Sequence, residues 1–207
     1  PPRFVVRGTT GGLVKQGAGT LALTAANTQS GATVIEAGAI QLRDKGSLGS
    51  GEIQNQGQLL LARADAFTLD QTISGRGSLV ITQGQVTLNN DGNSYSGATQ
   101  VQGGALITTA AERLPDASDL QLAAGAQLQL GGNETIASLQ AAGSVRLAGD
   151  LTTRGQQVYT GSLTLANAAG LTLSGTLIDA SHSANQFAGT PLGLNGGQAL
   201  VTVKEKL

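Results

Sequence analysis

Residues 30–41 read SGATVIEAGAIQ and line up with residues 96–107, SGATQVQGGALI, 66 positions on, from Ser30 to Ser96. Around it, VKQGAGTLALTAANTQSGAT (14–33) aligns with VITQGQVTLNNDGNSYSGAT (80–99) after a one-residue slip. Each copy has a glycine corner (Gly31, Gly97), a short run alternating apolar and polar, a second glycine (Gly38, Gly104) and another such run. Alternation of period two puts successive side chains on opposite faces of a strand. Glycine suits the corners because it reaches positive φ without steric cost. What repeats is therefore strand, corner, strand.

The same beat runs along the chain. Apolar-x-apolar pairs recur at Leu21/Leu23, Ile40/Leu42, Leu59/Leu61, Leu79/Ile81, Val86/Leu88, Leu120/Leu122 and Leu128/Leu130. They continue at Val145/Leu147, Leu163/Leu165, Leu171/Leu173 and Val201/Val203. Strands this closely spaced leave no room for helices, so the fold class is all-β. A repeat of 66 residues built from them corresponds to about three coils of roughly 20 residues. That predicts a right-handed parallel β-helix, a β-solenoid whose units contact only their neighbours. The expected organisation is two repeats within 1–147 (about 12–80 and 81–147), then 148–207 as a degenerate continuation of the same β-helix. QTISGRGSLV (71–80) supports this by matching ETIASLQAAGSVRL (134–147) with a short insertion.

Composition agrees. Gly contributes 31 of 207 residues, aromatics only 2% and charged residues 12%, yet 40% of the chain is hydrophobic. A narrow interior of stacked Leu, Val, Ile and Ala accounts for the scarcity of aromatics. Net charge is −1 and basic residues are scattered singly, which excludes the electrostatic footprint of a nucleic-acid binder. No apolar run approaches membrane-spanning length, so no membrane insertion by this segment is expected. With no cysteine there are no disulfides or thiolate metal sites. The opening Pro1-Pro2-Arg3, without an initiator Met, reads as an excised piece of a longer chain.

Candidate chemistry is sparse. GNSYSGAT (92–99) approaches the phosphate-loop signature G-x-x-x-x-G-K-[ST], but Ala98 stands in the lysine position. Its second copy, ANTQSGAT (26–33), has Ala26 and Ala32 at the first glycine and the lysine. A corner of a repeating coil explains both. That corner, N-x-[aromatic]-x-G, appears as Asn93/Tyr95/Gly97 and Asn185/Phe187/Gly189, and in degenerate form as Asn27/Gln29/Gly31 and Gln157/Tyr159/Gly161. A glycine follows seven residues after three of these, at Gly38, Gly104 and Gly196. The recurrence marks Tyr95, Tyr159 and Phe187 as structural staples rather than ligand platforms. His182, near Asp179, Ser181 and Ser183, is a solvated loop residue rather than part of a triad, which needs three groups converging from the fold. The acidic pairs Asp65/Asp70 and Asp116/Asp119 would face opposite ways on strands, unlike the paired carboxylates of glycoside hydrolysis. No catalytic, cofactor-binding or metal-binding residue is expected, and the chain is read as not an enzyme.

LVKQGAGTLALTAANTQSGATVIEAGAIQL (13–42), NSYSGATQVQGGAL (93–106) and RLPDASDLQLAAGAQLQLGGNETIASLQAAGSV (113–145) resemble the passenger-associated transport repeat of bacterial autotransporters. The resemblance covers about residues 12–147. It implies a β-helical passenger or stalk, exported across the Gram-negative outer membrane by a type V pathway to the cell surface or exterior. It implies an outer-membrane β-barrel translocator as one partner, and a host-cell, matrix or biofilm glycan or protein surface as another. A stem beneath a protease or esterase head, or a polysaccharide-degrading β-helix, are the alternative readings. Open strand edges at the ends also lead us to expect end-to-end self-association.

Overall fold

The computed structural model describes residues 3–6, 11–166, 171–180, 192–196 and 199–201 of the chain. Among them there is no helix, and the strands wind into a parallel β-solenoid of about 8 turns with repeats roughly 20 residues apart. Each turn passes three flanks. Flank 1 carries β1 (Arg3–Val6), β2 (Leu13–Gln16), β4 (Thr33–Ile35), β6 (Ile53–Asn55) and β9 (Ile73–Ser74). It resumes with β16 (Glu134–Ile136), β19 (Leu151–Thr153), β22 (Leu171–Gly175) and β24 (Leu192–Gly196).

Flank 2 is unbroken across ten strands. They are β3 (Thr20–Leu23), β5 (Ala39–Arg43), β7 (Gln58–Ala62), β10 (Ser78–Ile81), β12 (Thr99–Val101) and β14 (Asp119–Leu122). The flank ends with β17 (Ser138–Ala141), β20 (Gln156–Tyr159), β23 (Leu177–Ala180) and β25 (Ala199–Val201). Flank 3 holds β8 (Ala66–Leu69), β11 (Gln85–Leu88), β13 (Ala105–Thr108), β15 (Gln127–Leu130), β18 (Ser144–Leu147) and β21 (Leu163–Leu165).

The stacking register keeps like residues above like. On flank 2, Ile40 lies beneath Leu59 and Leu59 beneath Leu79. On flank 3, Val86, Leu106, Leu128, Val145 and Leu163 form one column. All of these are buried, so the alternation read in the sequence becomes continuous aliphatic columns along the axis. Val203, the partner assigned to Val201, lies outside the described residues.

Two features depart from a uniform coil. β1 pairs antiparallel with β2, with Arg3 opposite Gln16, and is the one antiparallel pairing among the described strands. Leu21 and Leu23 of β3 also point inward but stay half-buried, because among the described residues no strand stacks on their other side. Among the described residues no helix is long and apolar enough to cross a membrane.

Candidate functional site

The two copies of the 66-residue repeat do not lie on the same side of the molecule. Thr33 belongs to β4 on flank 1, whereas its counterpart Thr99 belongs to β12 on flank 2. Likewise β2 on flank 1 corresponds to β10 on flank 2, β3 to β11, and β5 on flank 2 to β13 on flank 3. Coil length explains the shift. Thr33 to Ile53 to Ile73 is two steps of 20 residues, so 66 residues make three coils and one further flank. The expectation of about three coils per repeat is thereby sharpened to three and a third.

What the copies share is local. Thr33 and Thr99 are both buried, as are Ile35 and Val101, and Ile40 and Leu106. Gly38 and Gly104 take φ of +70° and +72°, where an L side chain is strained. At Gly31 and Gly97 the coil passes so close to the backbone of its neighbour that a Cβ would collide with it.

The Asn corner carries no strand in either copy, and its asparagine supplies the missing hydrogen bonds. Asn27 Nδ2 donates to Ser47 O at 2.8 Å and Asn93 Nδ2 to Arg113 O at 2.9 Å, in each case 20 residues ahead. Asn93 Oδ1 also accepts from Ile73 N at 2.9 Å, so this one amide joins three consecutive coils. The same arm of the following coil is strandless as well, and in both copies it turns one leucine inward, Leu48 and Leu114.

In the first copy these strandless arms fall on flank 3, ahead of its first strand β8. In the second they fall on flank 1 and split its sheet between β9 and β16. The one-flank shift is the cause of the break.

Tyr95 fills the interior at the break. It is fully buried, and its hydroxyl lies 2.7 Å from Thr99 Oγ1, which lies 2.8 Å from Ser118 Oγ. Ser118 donates to Gly97 O at 2.8 Å. Burial pushes the Tyr95 hydroxyl well above the ordinary phenol range. Tyr159 is buried too and donates to Gln157 Oε1 at 2.8 Å, but it sits in strand β20 rather than in a strandless arm. Gly161 follows where a Cβ would strike Gly143 O. Gln29, at the tyrosine position of the first copy, leaves its buried Nε2 without a hydrogen bond. Asn185, Phe187, Gly189 and His182 with Ser181 and Ser183 lie outside the described residues, while Gly196 ends β24.

The acidic pairs do not converge. Asp65 is held by Arg63 and Lys45 before β8, while Asp70 follows that strand and accepts from Asn89 at 3.1 Å. The hydrogen bonds from Arg63 and then Lys45 keep Asp65 far below the usual carboxylate range. Asp116 reaches Arg154 at 3.2 Å from a turn, and Asp119 accepts from Ser138 Oγ in the neighbouring strand. Among the described residues no group of three or more His, Cys, Asp or Glu is placed to hold a metal ion.

Three polar features were not legible as such in the sequence. Lys15 is fully buried, its ammonium donating to the carbonyls of Gln16, Gly17 and Ala37 at 3.0, 2.6 and 2.9 Å. Glu134 is buried at the start of β16, where its carboxylate accepts from Arg113 N and Leu114 N at 3.1 Å. Burial holds this carboxyl up at about 7 despite those two backbone donors. On the outside of flank 2, Gln100, Gln121 and Gln140 stack in register beside Ala123, Ala142 and Thr160, lining a shallow depression of about 320 Å³. A charged or amide residue in an alternating run signals nothing by itself; only the coil register reveals which neighbours it meets.

The family model of the passenger-associated transport repeat matches residues 13–42 and 83–107. Those stretches contain both copies of the SGAT corner, each with the strands on either side of it. Residues 113–145, which resemble the continuation of the repeat, lie outside the match. No curated protein and no solved structure matches the chain. The two stretches, set one flank apart on a parallel solenoid and sharing the same glycine corner and bridging asparagine, are thus similar to the passenger-associated transport repeat, a repeat found in autotransporter passenger domains.

Proposed function

We propose that the chain is a non-catalytic β-helical stalk of an autotransporter passenger, exported to the cell surface or exterior, that supports its own secretion and displays an adhesive surface. The observation that carries this reading is the pair of matched repeat stretches built into a stack of aliphatic columns that runs along the axis. Such a stack suits export of an unfolded chain followed by folding outside. Each coil contacts mainly its neighbours, so order propagates along the axis once a few coils have formed. No disulfide can lock the chain prematurely. The two repeats at about 12–80 and 81–147, continued by 148–207, form one stalk in this reading.

The partners we assign are an outer-membrane β-barrel translocator and a glycan or protein surface on a host cell, matrix or biofilm. The amide row of Gln100, Gln121 and Gln140 offers donors and acceptors once per coil, chemistry suited to a polar, uncharged partner. A non-catalytic role is favoured by the acidic side chains, which pair off with separate partners instead of facing one substrate position.

The test is display from a Gram-negative host of the full passenger joined to its translocator. Surface antibody binding and protease resistance would be measured for the native chain and for Leu128→Asp with Leu130→Asp. Charge in the flank 3 column should sharply reduce the folded passenger at the surface. Unchanged display of a protease-sensitive passenger would overturn the link between coil stacking and secretion.

A further inference from the structure

Flank 1 is broken where the second repeat's strandless arms cross it, and Glu134 closes the far side of that break. Its Oε1 and Oε2 both accept from Arg113 N at 3.1 Å, and Oε2 accepts from Leu114 N at 3.1 Å. These are donors that a regular coil would pair with strand carbonyls. Beside them, Glu112 N donates to Asn133 O and Ala137 N to Ser118 O at 2.9 and 3.1 Å, backbone ties between segment 109–118 and the residues flanking β16. We propose that Glu134 is a pH-responsive latch that holds segment 109–118 against β16 most firmly when its carboxyl is neutral and loosens it on ionising.

The surroundings set the direction. Glu134 faces Tyr95 and Thr108 inside the coil, and neither offers a positive charge. Glu112 adds a like charge from the outside, where it accepts from Thr135 Oγ1 at 3.2 Å. The Arg113 guanidinium turns away to Asp91 at 3.6 Å, so only its backbone N–H serves the carboxylate. Above, Glu134 N donates to Asp150 O at 2.9 Å, while the Asp150 carboxylate accepts from Thr172 N. A closed coil thus buries the charge without a cation, whereas an opened one returns it to water.

The carboxyl titrates at about 7 in the closed coil, against an ordinary 4.5 once exposed. The closed state therefore binds the extra proton between those values. Its advantage is fully present below the exposed value and is lost as pH rises through the closed value.

Native-state hydrogen exchange of the whole chain tests this, read at the amides of Glu112, Arg113 and Leu114 from about pH 5 to about pH 8.5 and corrected for intrinsic rates. Opening should increase by about tenfold per pH unit within the window and level off above it, as expected for one linked proton. Glu134→Gln, a neutral isostere that keeps an acceptor oxygen, should flatten the profile while distant amides keep theirs. Carbon-13 titration of the native Glu134 carboxyl, independent of any variant, should give a midpoint near 7. A midpoint in the ordinary carboxylate range, pH-independent protection in the native chain, or the same slope in Glu134→Gln would each overturn the latch. None of these readouts depends on export, so the latch and the stalk function fail separately.

Discussion

Asn93 shows how one side chain can stand in for a strand. Its amide accepts from Ile73 on the preceding coil and donates to Arg113 on the next, at 2.9 Å in both directions. Asn93→Ala leaves a backbone donor and a backbone acceptor unpaired at part-buried positions, so we expect a loss of about 1–3 kcal/mol in urea unfolding. Asn93→Asp keeps the acceptor and loses the donor, and should fall between the two. Equal stability for all three chains would show that solvent satisfies those groups instead. This residue was legible in the sequence because it recurs with Gly97 and Gly104. Its role was not, since the atoms it joins lie 20 residues away on either side.

The elements are short, and their stability comes from stacking rather than from intrinsic preference. β15, four residues long, places Leu128 between Leu106 below and Val145 above. Leu128→Ala should open a cavity in that column and cost about 2–5 kcal/mol, measured by urea denaturation. A surface change such as Gln127→Ala in the same strand should stay within about 0.5 kcal/mol. The strand pairs named from alternation fall on inward positions wherever their side chains are described. Leu21 and Leu23 are the exception in degree, being inward but half-buried for want of a stacking neighbour. The match of QTIS (71–74) with ETIA (134–137) also divides at this scale. Ile73 and Ile136 share flank 1, yet Leu79 lies on flank 2 and Val145 on flank 3, because after Ile136 the chain first makes the flank 2 strand β17.

At the scale of the molecule, the first coil presents two different edges among the described residues. β1 covers the outer edge of β2 with an antiparallel strand, as a blunt end would require. Among the described strands β3 pairs with β5 alone, and it shows the half-buried faces of Leu21 and Leu23. End-to-end association is therefore expected to run through flank 2. Sedimentation of the isolated chain should show concentration-dependent self-association, and Leu21→Lys should weaken it. A strict monomer at high concentration would mean that the edge is closed by other means.

The sequence by itself determined the solenoid: alternation, turn glycines and a repeated corner are local signals, each written within about ten residues. It also determined which residues face inward, because a period of two admits only two choices per strand. Only the tertiary structure decided where each repeat sits around the axis. That depends on coil length, which runs from 17 residues between Gln127 and Ser144 to 22 between Ala105 and Gln127. A remainder of one flank leaves the local alternation untouched, yet it moves the strandless arm from flank 3 to flank 1. There it breaks a sheet and brings Asn93, Tyr95 and Glu134 to the same gap.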